Sequence, residues 1–283
     1  GRAGPCAFAG VACHGGGVGS GFVCARMPRR KVALRNLELC FPRASVEQRT
    51  QWARRALSSL PDLAGSQLAV VRPQSVVEQR VKLQGAVANW TAMCPTIIFA
   101  PHFYGLDAGG LVLPLHVPGV HVHFSTHPDP VIDVCSSGGP LSALRRAVAQ
   151  PRQVRPSFPT CARGLLTYSS DMDFGAGESI FVPHGVPAAT VPSLSRFARP
   201  GPPGGIGMYT RLTPDGYVAE RRPRGISLSH RRCRADTARM NRELESYINT
   251  MPGQYYWVHK RFKDAAAKRP GQAVQIKKRG AGA

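Results

Sequence analysis

TIIFAPHFYGLDAGG, residues 96–110, is the stretch on which the reading of this chain turns. Thr96 to Ala100 form a short, apolar run with β-branched residues, closed by Pro101, and predict a buried strand. Asp107 is placed to open a helix, where a carboxylate meets free N–H groups and the positive end of the helix dipole. A strand passing directly into a helix is a unit of α/β architecture. His102 stands at the junction, with Asp107 five positions on. In a continuous helix five residues turn the chain by about 140°, so the two side chains would diverge. After a strand, with Gly105 free to bend the path, both can reach one point. A carboxylate that accepts one ring N–H fixes the tautomer and raises the basicity of the imidazole. The other nitrogen is then left to take a proton. As a bare pattern, a strand-end His near an Asp is more often structural than catalytic.

Outward from this stretch the pattern continues. Downstream, Val120, Val122 and Phe124 alternate with His121 and His123, as in a second strand, and SIFVP (179–183) predicts another. Just before Val120, Pro114 and Pro118 break an apolar run. Upstream, Ser45 with Gln48 three positions later is a capping box. Trp52, Ala53, Ala56, Leu57 and Leu60 then share one helical face that ends at Pro61. Near the C-terminus Met240, Leu244, Tyr247, Ile248 and Met251 form another such face, stopped by Pro252. Strands and helices alternate, so the expected fold class is α/β, with a central mixed β-sheet flanked by helices. Three parts are expected: a Gly/Cys-rich segment 1–28, a main domain 29–263, and a loose basic tail 264–283.

The chain has 283 residues, 43% of them hydrophobic, which is enough for a sizeable core and excludes global disorder. Its formal net charge is +21, which favours an anionic partner. The acid-free stretches carry no aromatics interleaved with bases, so nucleic acid is not the expected partner. Only residues 255–263 come close. The eight cysteines include no C-x-x-C pair, which argues for free thiols rather than a zinc ribbon or disulfide frame. No apolar run reaches the length of a membrane span. His121, His123 and His127 could be read as zinc ligands, but no matching fourth ligand block follows, and an exposed strand face explains the alternation better. There is no G-x-S-x-G elbow for a serine nucleophile.

Four blocks carry a resemblance. RRKVALRNLELCFP (29–42), IIFAPHFYGLDAGG (97–110), SSDMDFGAGESIFVPHGVPAAT (169–190) and MNRELESYINTMPGQYYWVHKRFK (240–263) occur in the order and approximate spacing of the lipid A secondary acyltransferases. The chain thus resembles the lauroyl and myristoyl acyltransferases of lipopolysaccharide synthesis over roughly two-thirds of its length. The resemblance implies a glycerolipid-acyltransferase-like fold. It implies that His102 is the general base on a hydroxyl of an acyl chain already on the acceptor, with Asp107 orienting it. It implies acyl-acyl carrier protein as donor, an anionic glycolipid as acceptor, and work at the cytoplasmic face of the inner membrane. No metal, no cofactor and no covalent enzyme intermediate are expected. Asp171, Asp173 and Gly175 match a block that lines the family's active-site cleft, and Arg261 and Lys263, in a further matched block, could meet substrate phosphates or lipid headgroups. Another membrane-lipid acyltransferase, acting on a glycerolipid or an ornithine lipid, would use the same pair.

Parts of the chain depart from the family pattern. The 1–28 segment stands where the family has an apolar anchor, the pattern is lost after Asp133, ARPGPPGGIGMYTRLTP (198–214) stands in place of a buried strand, and ERRPRGISLSHRRCR (220–234) is unpatterned. These windows are rich in Arg, Pro, Gly and Cys, as expected of segments translated out of frame from a GC-rich gene. Translating the alternative frames across them tests that expectation.

Overall fold

Ile98 and Phe99 have no solvent exposure, and they sit in the middle of a seven-stranded sheet. The computed structural model describes residues 29–58, 73–85, 96–116, 120–124, 145–147, 165–169, 171–173, 180–184, 186–192, 194–195, 205–221 and 233–262. Segments 1–28 and 263–283 lie outside the described residues, as do Leu60, Pro61, Pro118, His127 and Gly175.

The strands of the sheet are β1 (Val81–Gln84), β2 (Thr96–Phe99), β3 (Val120–Phe124), β4 (Arg145–Ala147), β5 (Leu165–Tyr168), β8 (Gly205–Thr213) and β9 (Gly216–Arg221), with β6 (Ile180–His184) and β7 (Val186–Thr190) forming a separate antiparallel hairpin. The sheet order is β1-β9-β8-β2-β5-β3-β4, and only the β8–β9 pair is antiparallel. The helices are α1 (Arg30–Cys40), α2 (Val46–Ser58), α3 (Gln74–Arg80), α4 (Leu106–His116) and α5 (Cys233–Thr250). This is the α/β fold expected, a mixed sheet flanked by helices.

Both faces of the sheet are covered, as parallel strands require. On one face Ile97 and Phe99 join Ala33 and Leu37 of α1, Ala53 and Ala56 of α2, and Met240, Leu244, Tyr247 and Ile248 of α5. On the other, Ala108, Leu111 and Val112 of α4 pack with Val77, Val81, Tyr217 and Ala219. Each fully buried apolar side chain of this kind contributes about 1.5–3 kcal/mol. The expected face of α5 is buried as read, with Met251 packed at its edge. The capping box is made in both directions: the Gln48 N–H donates to Ser45 Oγ at 3.1 Å, and the Ser45 N–H donates to Gln48 Oε1 at 3.0 Å.

Three readings are corrected. Helix α4 continues past Pro114 to His116, so that proline does not end the element. Its preceding residues supply the expected apolar run, and a buried helix can carry a proline where its neighbours tolerate the lost bond. Gly105 does not bend the chain through a left-handed backbone; among the described residues only Gly85 and Gly216 have positive φ. It allows contact instead: a Cβ there would lie 2.6 Å from Thr210 Cγ2, and one on Gly109 would lie 2.0 Å from Thr210 Oγ1. The window 198–214 does contain a strand. β8 forms because Met208, Tyr209, Thr210 and Leu212 suit an extended chain, and because β2 and β9 satisfy its backbone on both sides. Gly207 is required there, since Tyr247 Oη lies 1.8 Å from where its Cβ would be.

Candidate active site

The parallel pairing of β2 with β5 places Phe99 opposite Tyr168. Three residues beyond that pair on each strand are His102 and Asp171, so the two chain segments leave the sheet side by side at the carboxyl ends of their strands. The Ser169 hydroxyl donates to the Ala100 carbonyl and ties the two segments together. His102 Nδ1 lies 2.6 Å from Asp171 Oδ1, and the His102 backbone N–H donates to Oδ2 at 3.0 Å. The carboxylate at hydrogen-bond distance from Nδ1 is thus that of Asp171. Its acceptor character places the ring proton on Nδ1 and leaves Nε2 for an incoming group. The imidazole is 27% exposed, while Asp171 is fully buried.

Asp107 lies in the first turn of α4, half-buried, as the sequence suggests. Burial disfavours charge on the His102 ring, but the Asp171 carboxylate, its hydrogen bond and the nearby Asp107 charge outweigh burial and hold the pKa above the ordinary histidine value. Burial likewise opposes charge on Asp171, but His102, Arg261 and the hydrogen bonds hold its carboxyl well below the usual carboxylate range. The pair is therefore a carboxylate facing a histidine that readily accepts a second proton.

The block QYYWVHKRF closes over the pair from the other side. The Tyr255 hydroxyl donates to Asp171 Oδ2 at 3.0 Å, and the Tyr256 N–H donates to the His102 carbonyl at 3.0 Å. Tyr255 also forms an antiparallel bridge with Phe103. The Gln254 side chain caps β8 through both the N–H and the carbonyl of Leu212, at 2.7 and 3.0 Å. Asn36 of α1 donates to the carbonyls of Trp257 and His259, at 2.8 and 2.7 Å. Phe41 packs between Trp52 and Trp257, with ring centroids 5.0 and 6.1 Å away. The NLELCFP block is thereby a backing for the C-terminal block. Cys40 at the end of α1 is a free thiol whose pKa burial pushes up to about 12, so it stays neutral.

The residues matched to substrate binding fall in different places. Arg261 is 2% exposed. Its guanidinium donates to the Asp171 carbonyl, to Asn241 Oδ1 at 3.0 Å and to Thr190 Oγ1 at 3.4 Å. It braces Asp171, β7 and α5 from beneath. Asp173 is also buried, and its backbone N–H donates to His259 Nε2 at 2.9 Å. Gly175 and Lys263 lie outside the described residues, and His121 and His123 are within β3. Among the described residues no cluster of His, Cys, Asp or Glu has the makings of a metal site.

Sequence reasoning did not single out Tyr255, Asn241, Thr190, Asn36 or His259. One signal was available: Asn241 lies beside Met240 and Leu244 on the apolar face of α5, and a polar residue placed there needs buried partners.

Comparison with known proteins agrees with this convergence of blocks. Residues 5–264 match the family model described as "Bacterial lipid A biosynthesis acyltransferase". The chain is 27% identical over 258 residues to the lipid A biosynthesis lauroyltransferase of Escherichia coli K12, covering 87% of this chain and 84% of that one. It is 26% identical over 246 residues to a lipid A biosynthesis acyltransferase of Haemophilus influenzae, covering 81% and 74%. Against the lipid A biosynthesis myristoyltransferase of E. coli K12 it is 26% identical over 264 residues, covering 88% and 79%. With its family match running through nearly the whole sequence, the chain belongs to the bacterial lipid A biosynthesis acyltransferases and is an acyltransferase.

Proposed function

We propose that the protein moves a fatty acyl chain from acyl-acyl carrier protein onto the hydroxyl of a hydroxyacyl chain of a lipid A precursor, with His102 as general base. The observation that carries this reading is the 2.6 Å contact between His102 Nδ1 and Asp171 Oδ1, on a ring that is still partly open to solvent. A histidine fixed in this way presents Nε2 as a proton acceptor. The acceptor hydroxyl gives its proton to Nε2 as its oxygen attacks the thioester carbonyl. The C–S bond then breaks, the ester forms, and the proton passes from His102 to the departing thiolate. Asp171 orients the ring. Asp107, the partner expected from the sequence, adds its negative charge near the same imidazole and favours the imidazolium formed in the transition state. The burial and internal hydrogen bonds of Arg261 favour a bracing role over contact with substrate phosphates. The acceptor is a membrane glycolipid, so the reaction belongs at the cytoplasmic face of the bacterial inner membrane. Among the described residues no helix is long and apolar enough to cross a membrane.

The test is a transfer assay with acyl-acyl carrier protein and either a tetra-acylated lipid A precursor or lysophosphatidate. The lipid A precursor should be acylated and lysophosphatidate should not. His102→Ala should lower kcat by about 10²–10⁴, with some loss of stability because the buried Asp171 carboxylate loses a partner. Full activity in that variant would overturn the mechanism, and a preference for lysophosphatidate would overturn the acceptor.

A further inference from the structure

We infer that Tyr255 is a positioning residue for the reaction: its buried hydroxyl shares Asp171 with His102, and so sets how strongly that carboxylate holds the imidazole. The inference rests on the reading of His102 as the base. Asp171 Oδ2 receives two donors, the His102 backbone N–H and the Tyr255 hydroxyl, each at 3.0 Å. Oδ1 faces the imidazole alone among the contacts described. A hydrogen bond donated to one oxygen of a carboxylate withdraws electron density from the whole group, and in a buried site that effect is strong. Tyr255 therefore moderates the attraction between Asp171 and the ring. Its hydroxyl is suited to donate at all working pH values, because burial, and the Asp171 charge after it, raise its own pKa well above the ordinary tyrosine value.

The remainder of Tyr255 holds the fold by other means. Its ring packs at 5.4 Å from Phe103 and 4.9 Å from Trp257, and its backbone bridges Phe103. Phenylalanine retains all of these contacts, so Tyr255→Phe isolates the hydroxyl. Two donors then remain on the Asp171 carboxylate, both from His102, and it holds the imidazolium more tightly.

The experiment follows the His102 ring by NMR in the isotope-labelled full-length protein, beside the pH dependence of kcat/KM. In the unaltered protein the ring should titrate above the ordinary histidine value, and activity should rise with pH as it loses its proton. In Tyr255→Phe both midpoints should move further up, by about half to one pH unit, with KM for the acceptor unchanged. A ring titration unmoved from the unaltered value would overturn the inference, even if stability or rate fell. A ring titration that shifts while the activity profile does not would support the link between Tyr255 and His102 and overturn His102 as the base. If Tyr255→Phe does not fold, the ring titration in Asp171→Asn supplies the second measurement. There the His102 midpoint should fall below that of the unaltered protein, and a midpoint that stayed in place would remove the carboxylate through which Tyr255 acts.

Discussion

Both faces of the central sheet bury apolar side chains, and a different kind of contact beside each cluster positions the site. On the α4 face the contact is steric: Gly105 and Gly109 bring the helix down onto Thr210, close enough that a single added carbon has no room. On the face beneath the site the contact is polar. Arg261, Asn241, Thr190, Tyr255 and Asp171 form a buried network surrounded by aromatic rings. One face sets where α4, and with it Asp107, begins. The other sets which way the His102 ring is turned. Shape positions the backbone of the candidate site and hydrogen bonds orient its side chains.

Three substitutions separate these roles, in decreasing order of effect. Arg261→Ala should be the most damaging, because it leaves the Asp171 carbonyl, Asn241 and Thr190 without their shared donor and removes a buried cation near a buried carboxylate. The expected loss is about 3–5 kcal/mol in urea unfolding. A loss below about 1 kcal/mol would mean that aromatic packing, not the network, holds this face. Gly109→Ala should cost about 1–3 kcal/mol by overpacking against Thr210. In a Thr210→Ala background most of that cost should vanish, since the 2.0 Å contact is with Thr210 Oγ1, and alanine is the better helix former. A double-mutant cycle with no coupling would show that the α4 face is not set by this contact. Ser45→Ala, on neither face, should cost about 1 kcal/mol through the lost N-cap and leave the His102 titration in place. A shift in that titration would tie the α1–α2 corner to the site and blur the division.

Much of the fold was legible locally. The 96–100 strand, the capped α2 and the apolar face of α5 are written in short-range patterns, and each forms where it was expected. The strand β8 was not legible. Its glycines and flanking prolines argue against extended structure, and its stability comes from two neighbouring strands and from the space Tyr247 needs beside Gly207. A strand's propensity reflects its neighbours more than its own residues. The same limit applied to α4, where Pro114 reads locally as a break but lies within the helix.

At the candidate site, the sequence by itself placed His102 between a strand and a helix, and the order of blocks marked the family. It also placed Asp107 at the start of α4. Which carboxylate meets the ring was decided only in three dimensions. Asp171 is 69 positions away, and it reaches Nδ1 because β2 and β5 pair in parallel with Phe99 opposite Tyr168. The burial of Arg261 was decided the same way, by the packing of α5, β7 and the C-terminal block around one carbonyl. The physical reason is one of range. Helix caps, apolar periodicity and strand propensity act over a few residues, whereas a hydrogen-bond partner is chosen by sheet register and helix packing, which join segments that the linear order keeps apart.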